Sequence, residues 1–268
     1  MVGEKDEKII MAKFGLIGKS LEHSFSASFF KNKFANEDLK QHTYDNFELD
    51  KPSDILDLIE SNPNLEGLNV TVPYKETIMP FLSSLENKAE SIGAVNVIKI
   101  NRNKEKPFLK GFNTDADAFK RTLDPLLKNI HKKAIILGRG GASKAVGYAF
   151  DQMGIETIYI SRRPLETNGN YMDNVIAYSD LSPSIIKDHL IIVNTTPLGM
   201  YPDINSLPKI NYDVIGKEHI LYDLVYNPKE TEFLKKGKKE NSKIKNGLEM
   251  LQVQAEMSWN IWQGKGIT

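Results

Sequence analysis

Three stretches carry residue types that could do chemistry. In GLNVTVPYKETI (67–78) a hydrophobic strand, Leu68 to Val72, runs into Pro73, and Lys75 then stands at the start of a predicted helix. A helix start disfavours positive charge, so either Lys75 is a solvated side chain tolerating a poor location or its position is needed. In ILGRGGASKAVG (136–147) an apolar strand enters a glycine-rich turn that opens a helix. Gly138 and Gly140 match the first two glycines of GxGxxG, and Ser143 takes the third place. Such a turn lets a pyrophosphate approach the backbone and meet the free N–H groups of the helix start. Alone it is equally a turn without a ligand, but the strand TIYISRR (157–163) follows at βαβ spacing and favours a nucleotide. That second strand ends in Ser161, Arg162 and Arg163. An NAD site usually carries a carboxylate there for the ribose 2′-hydroxyl. Guanidinium groups instead suit the 2′-phosphate of NADP, unless the pair is merely a polar turn.

The elements that must position these groups alternate strand and helix. The first series reads as strand KFGLIG, a helix from about Ser26 to Ala35, strand HTYDNFEL, helix PSDILDLIESN and strand LEGLNVTV. KETIMPFLSSL and ENKAESIG then read as helical with a break near Pro80, before strands AVNVIKI and FLKGF. The second series opens with helix DADAFKRTLDPLLKN and strand KAIILG, and strands TIYIS, NVIAY, LIIVNTT and HILYDLV recur after the glycine turn. Near-continuous β-branched runs fit parallel strands covered on both faces, and the alternation predicts a doubly wound sheet. KKGKKENSK reads as a solvated turn. GLEMLQVQAEMSWNIWQG has helical spacing and is expected to pack back on the first domain, with its indoles in a core.

Composition narrows the function classes. Lys plus Arg and Asp plus Glu are both 35, so the net charge is zero and nothing draws in nucleic acid or an anionic membrane. There is no Cys, which removes thiolate nucleophiles and cysteine metal sites, and the five His have no ligand spacing, so no metal is expected. The charged N-terminus has no secretory apolar run, and no stretch is long enough to span a bilayer, so a soluble cytoplasmic protein is expected. Met11 is a candidate functional start, with residues 1–10 an extension.

A hydride from a nicotinamide cofactor needs a proton donor or acceptor and a polar substrate site beside it. EHSFSAS, NVTVPYKET, GAVNV, GFNTDAD and GLEMLQVQA supply candidates, each ordinary by itself. Together, in this order, from Phe14 to about Trp262, they resemble the shikimate dehydrogenase family. The resemblance implies an α/β fold of two domains: an N-terminal substrate domain completed by C-terminal helices (1–114 with 247–268) and a Rossmann-like NADP-binding domain (115–246). It implies NADPH-dependent, reversible reduction of 3-dehydroshikimate to shikimate, a step toward aromatic amino acids. Ser24 and Ser26 would hold the substrate carboxylate. Thr71, Asn96, Tyr226 and Gln254 would contact substrate, and Lys75 paired with Asp115 would handle the proton. The cofactor contacts are then Gly138, Gly140, Gly141, Ala142, Ser143, Ser161, Arg162, Arg163 and Thr195. A small-molecule substrate and a monomer or homodimer complete the expectation.

Four departures from the family pattern stand out. Arg139 replaces a small residue inside the glycine turn, where it either adds a cation or points to solvent. Lys19 and Ser20 replace a Pro-containing turn, and Ala27 replaces a Pro. Glu249 puts an anion near a site for a carboxylate, so it is expected to face away or adjust affinity. Two rivals stay open. One is a quinate or dual quinate/shikimate enzyme, since one pocket side chain can accept or reject the difference. The other is a catalytically silent nucleotide-binding homologue, against which the presence of both Lys75 and Asp115 argues.

Overall fold

The computed structural model describes residues 11–22, 24–102, 106–164 and 174–266. The proposed N-terminal extension, His23 and the middle of the charged turn NRNKEK lie outside them. The described chain divides into two compact units, one within Met1–Ser91, Val95–Asn113 and Met257–Thr268, the other within Ile92–Ala94 and Thr114–Glu256.

In the first unit the elements are β1 (Lys13–Gly18), α1 (Phe25–Asn36), β2 (Thr43–Glu48), α2 (Ile55–Ser61), β3 (Leu65–Val70), α3 (Tyr74–Thr77), β4 (Ser84–Leu85), α4 (Asn87–Ile92), β5 (Val97–Asn101) and β6 (Phe108–Phe112). Its sheet runs β2-β1-β3-β5-β6-β4. β1 is parallel to both β2 and β3, whereas β5 is antiparallel to β3 and β6. β1 and β3 are almost continuously buried, as inner strands covered on both faces must be, while edge strand β2 alternates with solvent. Ile17, Leu65, Leu68, Val70, Ile78 and Ile98 are among the residues of the core.

KETIMPFLSSL breaks near Pro80 as expected, but the helix is shorter than its pattern suggests and does not resume beyond the break. One α-helical turn, α3, passes into a 3-10 turn at Met79–Phe81 and then into β4. Pro80 has no N–H to continue a helical ladder, and the chain beyond it bonds to β6, with Ser83 N–H on Leu109 O and Glu86 N–H on Gly111 O.

The second unit holds α5 (Asp115–Leu123), β7 (Lys133–Leu137), α6 (Gly141–Gln152), β8 (Glu156–Ser161), β9 (Val175–Ala177), α7 (Pro183–Asp188), β10 (Ile191–Asn194), β11 (Ile220–Asp223), α8 (Glu232–Lys239), β12 (Lys243–Lys245) and most of α9 (Leu248–Trp262). Its strands lie in the order β12-β11-β10-β7-β8-β9, every neighbouring pair parallel. Counted within this sheet that is 6-5-4-1-2-3, the doubly wound order, and its direction reverses between β7 and β10, the place where sheets of this type generally bind ligands.

KKGKK proves helical, not a turn. Thr231 caps α8 by accepting from Leu234 N–H, and Phe233, Leu234 and Gly237 form its buried face while the lysines stay outside. Gly237 allows the close contact, since a Cβ there would lie 2.6 Å from Leu221 and 2.7 Å from Ser242.

Helix α9 is shared. Residues 248–256, assigned from sequence to the substrate domain, count with the second unit, where Gly247 N–H bonds Val225 O and Thr114 Oγ1 donates to Gln254 O. Its last turns belong to the first unit, and both indoles are buried there. Trp262 stacks on Phe14 at 4.8 Å and donates from Nε1 to Ile98 O at 3.0 Å, above Gly67, which has no side chain to block it.

Candidate active site

Each unit gathers its own share of the predicted residues. In the first, Thr71 follows the end of β3, and its N–H bonds Ile17 O of the parallel neighbour β1. Gly18 lets the strands close up, since a Cβ there would lie 2.7 Å from the Thr71 methyl. Lys75 sits one turn on, half-buried, with its carbonyl accepting from Val95 N–H at 2.7 Å. That bond ties the lysine's turn to the GAVN segment. Asn96 is buried there, its N–H on Phe112 O and its O accepting from Val70 N–H. Because α3 is only four residues long, the dipole that made Lys75 look awkward is that of a single turn.

Ser24 occupies the N-cap of α1 in extended geometry, yet its side chain makes no capping bond. Its Oγ is buried without a hydrogen-bond partner among the described residues. Hydroxyls in that state are uncommon, and an arriving acceptor would satisfy this one. Ser26, also buried, bonds the Tyr44 phenol, whose pKa is pushed well up by burial, opposed by that bond. Tyr44 in turn donates to Asn69 Oδ1 at 2.8 Å. Asn69 Nδ2 donates to Ser258 Oγ at 2.8 Å and to Asn96 O at 3.4 Å. This buried chain of polar groups links α1, β2, β3, the GAVN segment and α9, and it escaped the sequence reading because directly bonded members lie up to 189 positions apart.

In the second unit, Asp115 is buried as the first residue of α5, where negative charge suits the helix start. Its neighbour Thr114 donates to the carbonyl of Gln254, itself buried, at 3.3 Å. Tyr226 follows Val225, whose carbonyl takes the Gly247 N–H just before α9. Glu249 pairs with Lys245 one turn earlier, so its charge is met.

The nucleotide features meet at the reversal point of the second sheet. Gly138 has φ +121, and a Cβ there would lie 2.5 Å from Thr195 Oγ1, so only glycine fits. Thr195 donates from Oγ1 to Leu137 O at 2.7 Å, pinning β10's end to the glycine turn. At Gly140 an added Cβ would meet nothing within 4 Å, so no protein neighbour requires glycine there; the open space fits a cofactor phosphate against bare backbone. Gly141 and Ala142 open α6, and Ser143 closes the turn by donating to Gly140 O at 2.6 Å.

The third glycine of the fingerprint normally permits close helix–strand packing. Here Gly147 does so, one turn further on, where a Cβ would fall 1.7 Å from the Tyr159 oxygen of β8. At the tip of β8, Ser161 Oγ accepts from Arg163 N–H, and the Arg139 side chain reaches across to donate from Nη1 to Arg163 O at 2.8 Å. Arg139 therefore does not extend freely into solvent.

Sequence reasoning also missed Asp223, at the end of β11. Its buried carboxylate accepts from Asn194 Nδ2 and Val225 N–H through Oδ1 and from Thr231 Oγ1 through Oδ2. Burial pushes its pKa up to about 6 against the pull of those three donors. The signal was present in DLVYNP, an acid ending an apolar strand. The described residues contain no group of three or more His, Cys, Asp or Glu able to hold a metal ion.

The chain has relatives over nearly its full length. Residues 16–98 match the family described as the shikimate dehydrogenase substrate binding domain. The shikimate dehydrogenase (NADP(+)) of Clostridium beijerinckii is 40% identical over 262 residues, covering 94% of this chain and 92% of that protein. The chain belongs to the shikimate dehydrogenase family.

Solved structures extend the likeness to the whole fold. Shikimate dehydrogenase 1 from Peptoclostridium difficile is 37% identical with a TM-score of 0.82, over 96% of this chain and 94% of that one. The shikimate 5-dehydrogenase of Thermus thermophilus, solved with NADP(H) and shikimate, is 27% identical with a TM-score of 0.78, over 95% and 94%. In both folds the family's two α/β domains are those seen here.

Proposed function

We propose that this protein is an NADP-dependent shikimate dehydrogenase that reversibly reduces 3-dehydroshikimate to shikimate. The observation that carries the reading is its near-full-length relationship to enzymes of that name. Two features of its own support it: the orphaned Ser24 hydroxyl, suited to a carboxylate, and the bare Gly140 backbone at the end of β7.

The residues divide the work. Gly138 to Ser143 hold the pyrophosphate, Arg162 and Arg163 meet the 2′-phosphate, and Thr195 fixes the glycine turn beneath the cofactor. NADPH, when bound, supplies hydride to the ketone carbon. Ser24 and Ser26 take the substrate carboxylate, and Thr71, Asn96, Tyr226 and Gln254 orient its ring. Lys75 is the group proposed to stabilise the oxyanion as charge grows on the ketone oxygen and to give it a proton, with Asp115 as its proposed partner. In the oxidative direction the same pair takes the hydroxyl proton. Residues 1–114 with the end of α9 are proposed as the substrate domain. A cytoplasmic setting and a monomeric or homodimeric state belong to the same proposal.

Purified protein with shikimate and NADP⁺ should produce NADPH absorbance at about 340 nm. Absence of that signal across the pH range overturns the enzymatic reading. Turnover of quinate in preference to shikimate replaces it with the quinate alternative.

A further inference from the structure

We propose that Arg139, inside the glycine turn, is a specificity-determining residue that reads the 2′-phosphate of the cofactor together with the arginine pair at the end of β8. This rests on the NADP reading above and assigns a role to a side chain that reading leaves unused.

Arg139 starts between two glycines whose backbone serves the pyrophosphate, but its guanidinium does not stay there. It crosses to the tip of the neighbouring strand and donates one N–H, from Nη1, to Arg163 O at 2.8 Å. A guanidinium has five N–H donors, so one bond holds the group in place and leaves four for a ligand. The place is where a doubly wound fold reads the 2′ position of the ribose. The Arg139 guanidinium is thus brought to the strand end that Arg162 and Arg163 follow in sequence. Between Leu137 and Pro164 the only carboxylates are Asp151, near the end of α6, and Glu156, at the opposite end of β8. Beyond Pro164 the next acidic residue in the sequence is Glu166, three positions after Arg163. A positioned guanidinium fork favours a phosphate over a hydroxyl, because phosphate accepts charge-assisted bonds from it in parallel.

The test compares binding of adenosine 2′,5′-bisphosphate and 5′-AMP by calorimetry to the wild-type chain, Arg139→Ala and Arg139→Gln. Gln keeps an N–H donor for the Arg163 carbonyl but has no charge, so it separates anchoring the loop from binding the phosphate. It also reads the effect should the alanine variant fold poorly. Expected is a loss of about 10-fold or more in bisphosphate affinity in both variants, with 5′-AMP within about 3-fold of wild type. Loss of both ligands in equal measure, or unchanged preference for the bisphosphate, overturns the assignment. If the wild-type chain itself binds the two ligands equally, the NADP reading fails, and that outcome is distinct from a failure of Arg139 alone.

Discussion

At the scale of single residues, the two halves of the proposed chemistry separate by kinetic parameter. Lys75→Ala should lower kcat by roughly 100-fold or more with little change in shikimate KM, because it removes a proton donor. Turnover within a few-fold of wild type would exclude that role. Ser24→Ala should do the reverse, raising KM for shikimate about 10-fold through loss of a charge-assisted bond. It should also leave the melting temperature unchanged, since the hydroxyl bonds nothing among the described residues. A fall in stability without a change in KM would make Ser24 an ordinary cap. These polar positions were legible in the sequence because short motifs such as NVTVPYK place them. The Ser26–Tyr44–Asn69–Ser258 chain was not, since no local pattern announces a hydrogen bond between residues from four separate segments.

At the scale of elements, packing constraints decide where the sequence pattern holds. Strands β1, β3, β7, β8, β10 and β11 were legible as apolar runs, and α6 as the helix behind a glycine turn. Segments whose pattern competed with tertiary pairing misled: the apolar spacing around Pro80 gave way to pairing with β6, and a lysine-rich run hid the buried face of α8. β12 escaped because a three-residue strand with two lysines carries almost no hydrophobic pattern.

The α6–β8 contact is testable. Gly147→Ala should destabilise by about 1–3 kcal/mol in chemical denaturation despite alanine's better helix propensity, because its Cβ runs into Tyr159. Tyr159→Phe in the same chain should recover part of the loss, as the ring carbon Cζ remains 2.9 Å away. Strict additivity of the two changes would rule out the contact.

Asp223 ties the end of β10, the turn after β11 and the cap of α8 to one carboxylate, and its titration has a definite sign. Its folded pKa of about 6 exceeds the ordinary 3.8, so its contribution to stability is complete below about pH 3.8 and is lost as pH rises through about 6. That difference corresponds to on the order of 3 kcal/mol. Asp223→Asn should therefore gain on the wild type steadily between about pH 4 and 7 in denaturation curves. Parallel curves would show that the carboxylate does not titrate there.

At the scale of the molecule, two sheets of different character serve two jobs: a mixed one in the first unit and an all-parallel one in the second. The alternation of strands and helices foretold an α/β layer for each and the parallel order of the second, but not the antiparallel pairings of β5 in the first. The division of α9 was not, because its spacing is uniformly helical and nothing in it marks where one core gives way to another. Trp262→Ala should cost about 3–5 kcal/mol, since the indole fills the space over Gly67 and holds the Ile98 carbonyl. A loss under about 1 kcal/mol would mean the first unit's core closes without it.

The same tryptophan imposes an order in time on a chain made from its N-terminus. β6 ends at Phe112, but the partner that stacks on Phe14 lies at position 262. At ~5–20 residues per second, the first sheet waits roughly 7–30 s on the ribosome with its aromatic face uncovered. The second sheet has by then been synthesised in full. The unit begun first is thus the last to be sealed, and the interval is when this nascent chain most needs shielding from its neighbours.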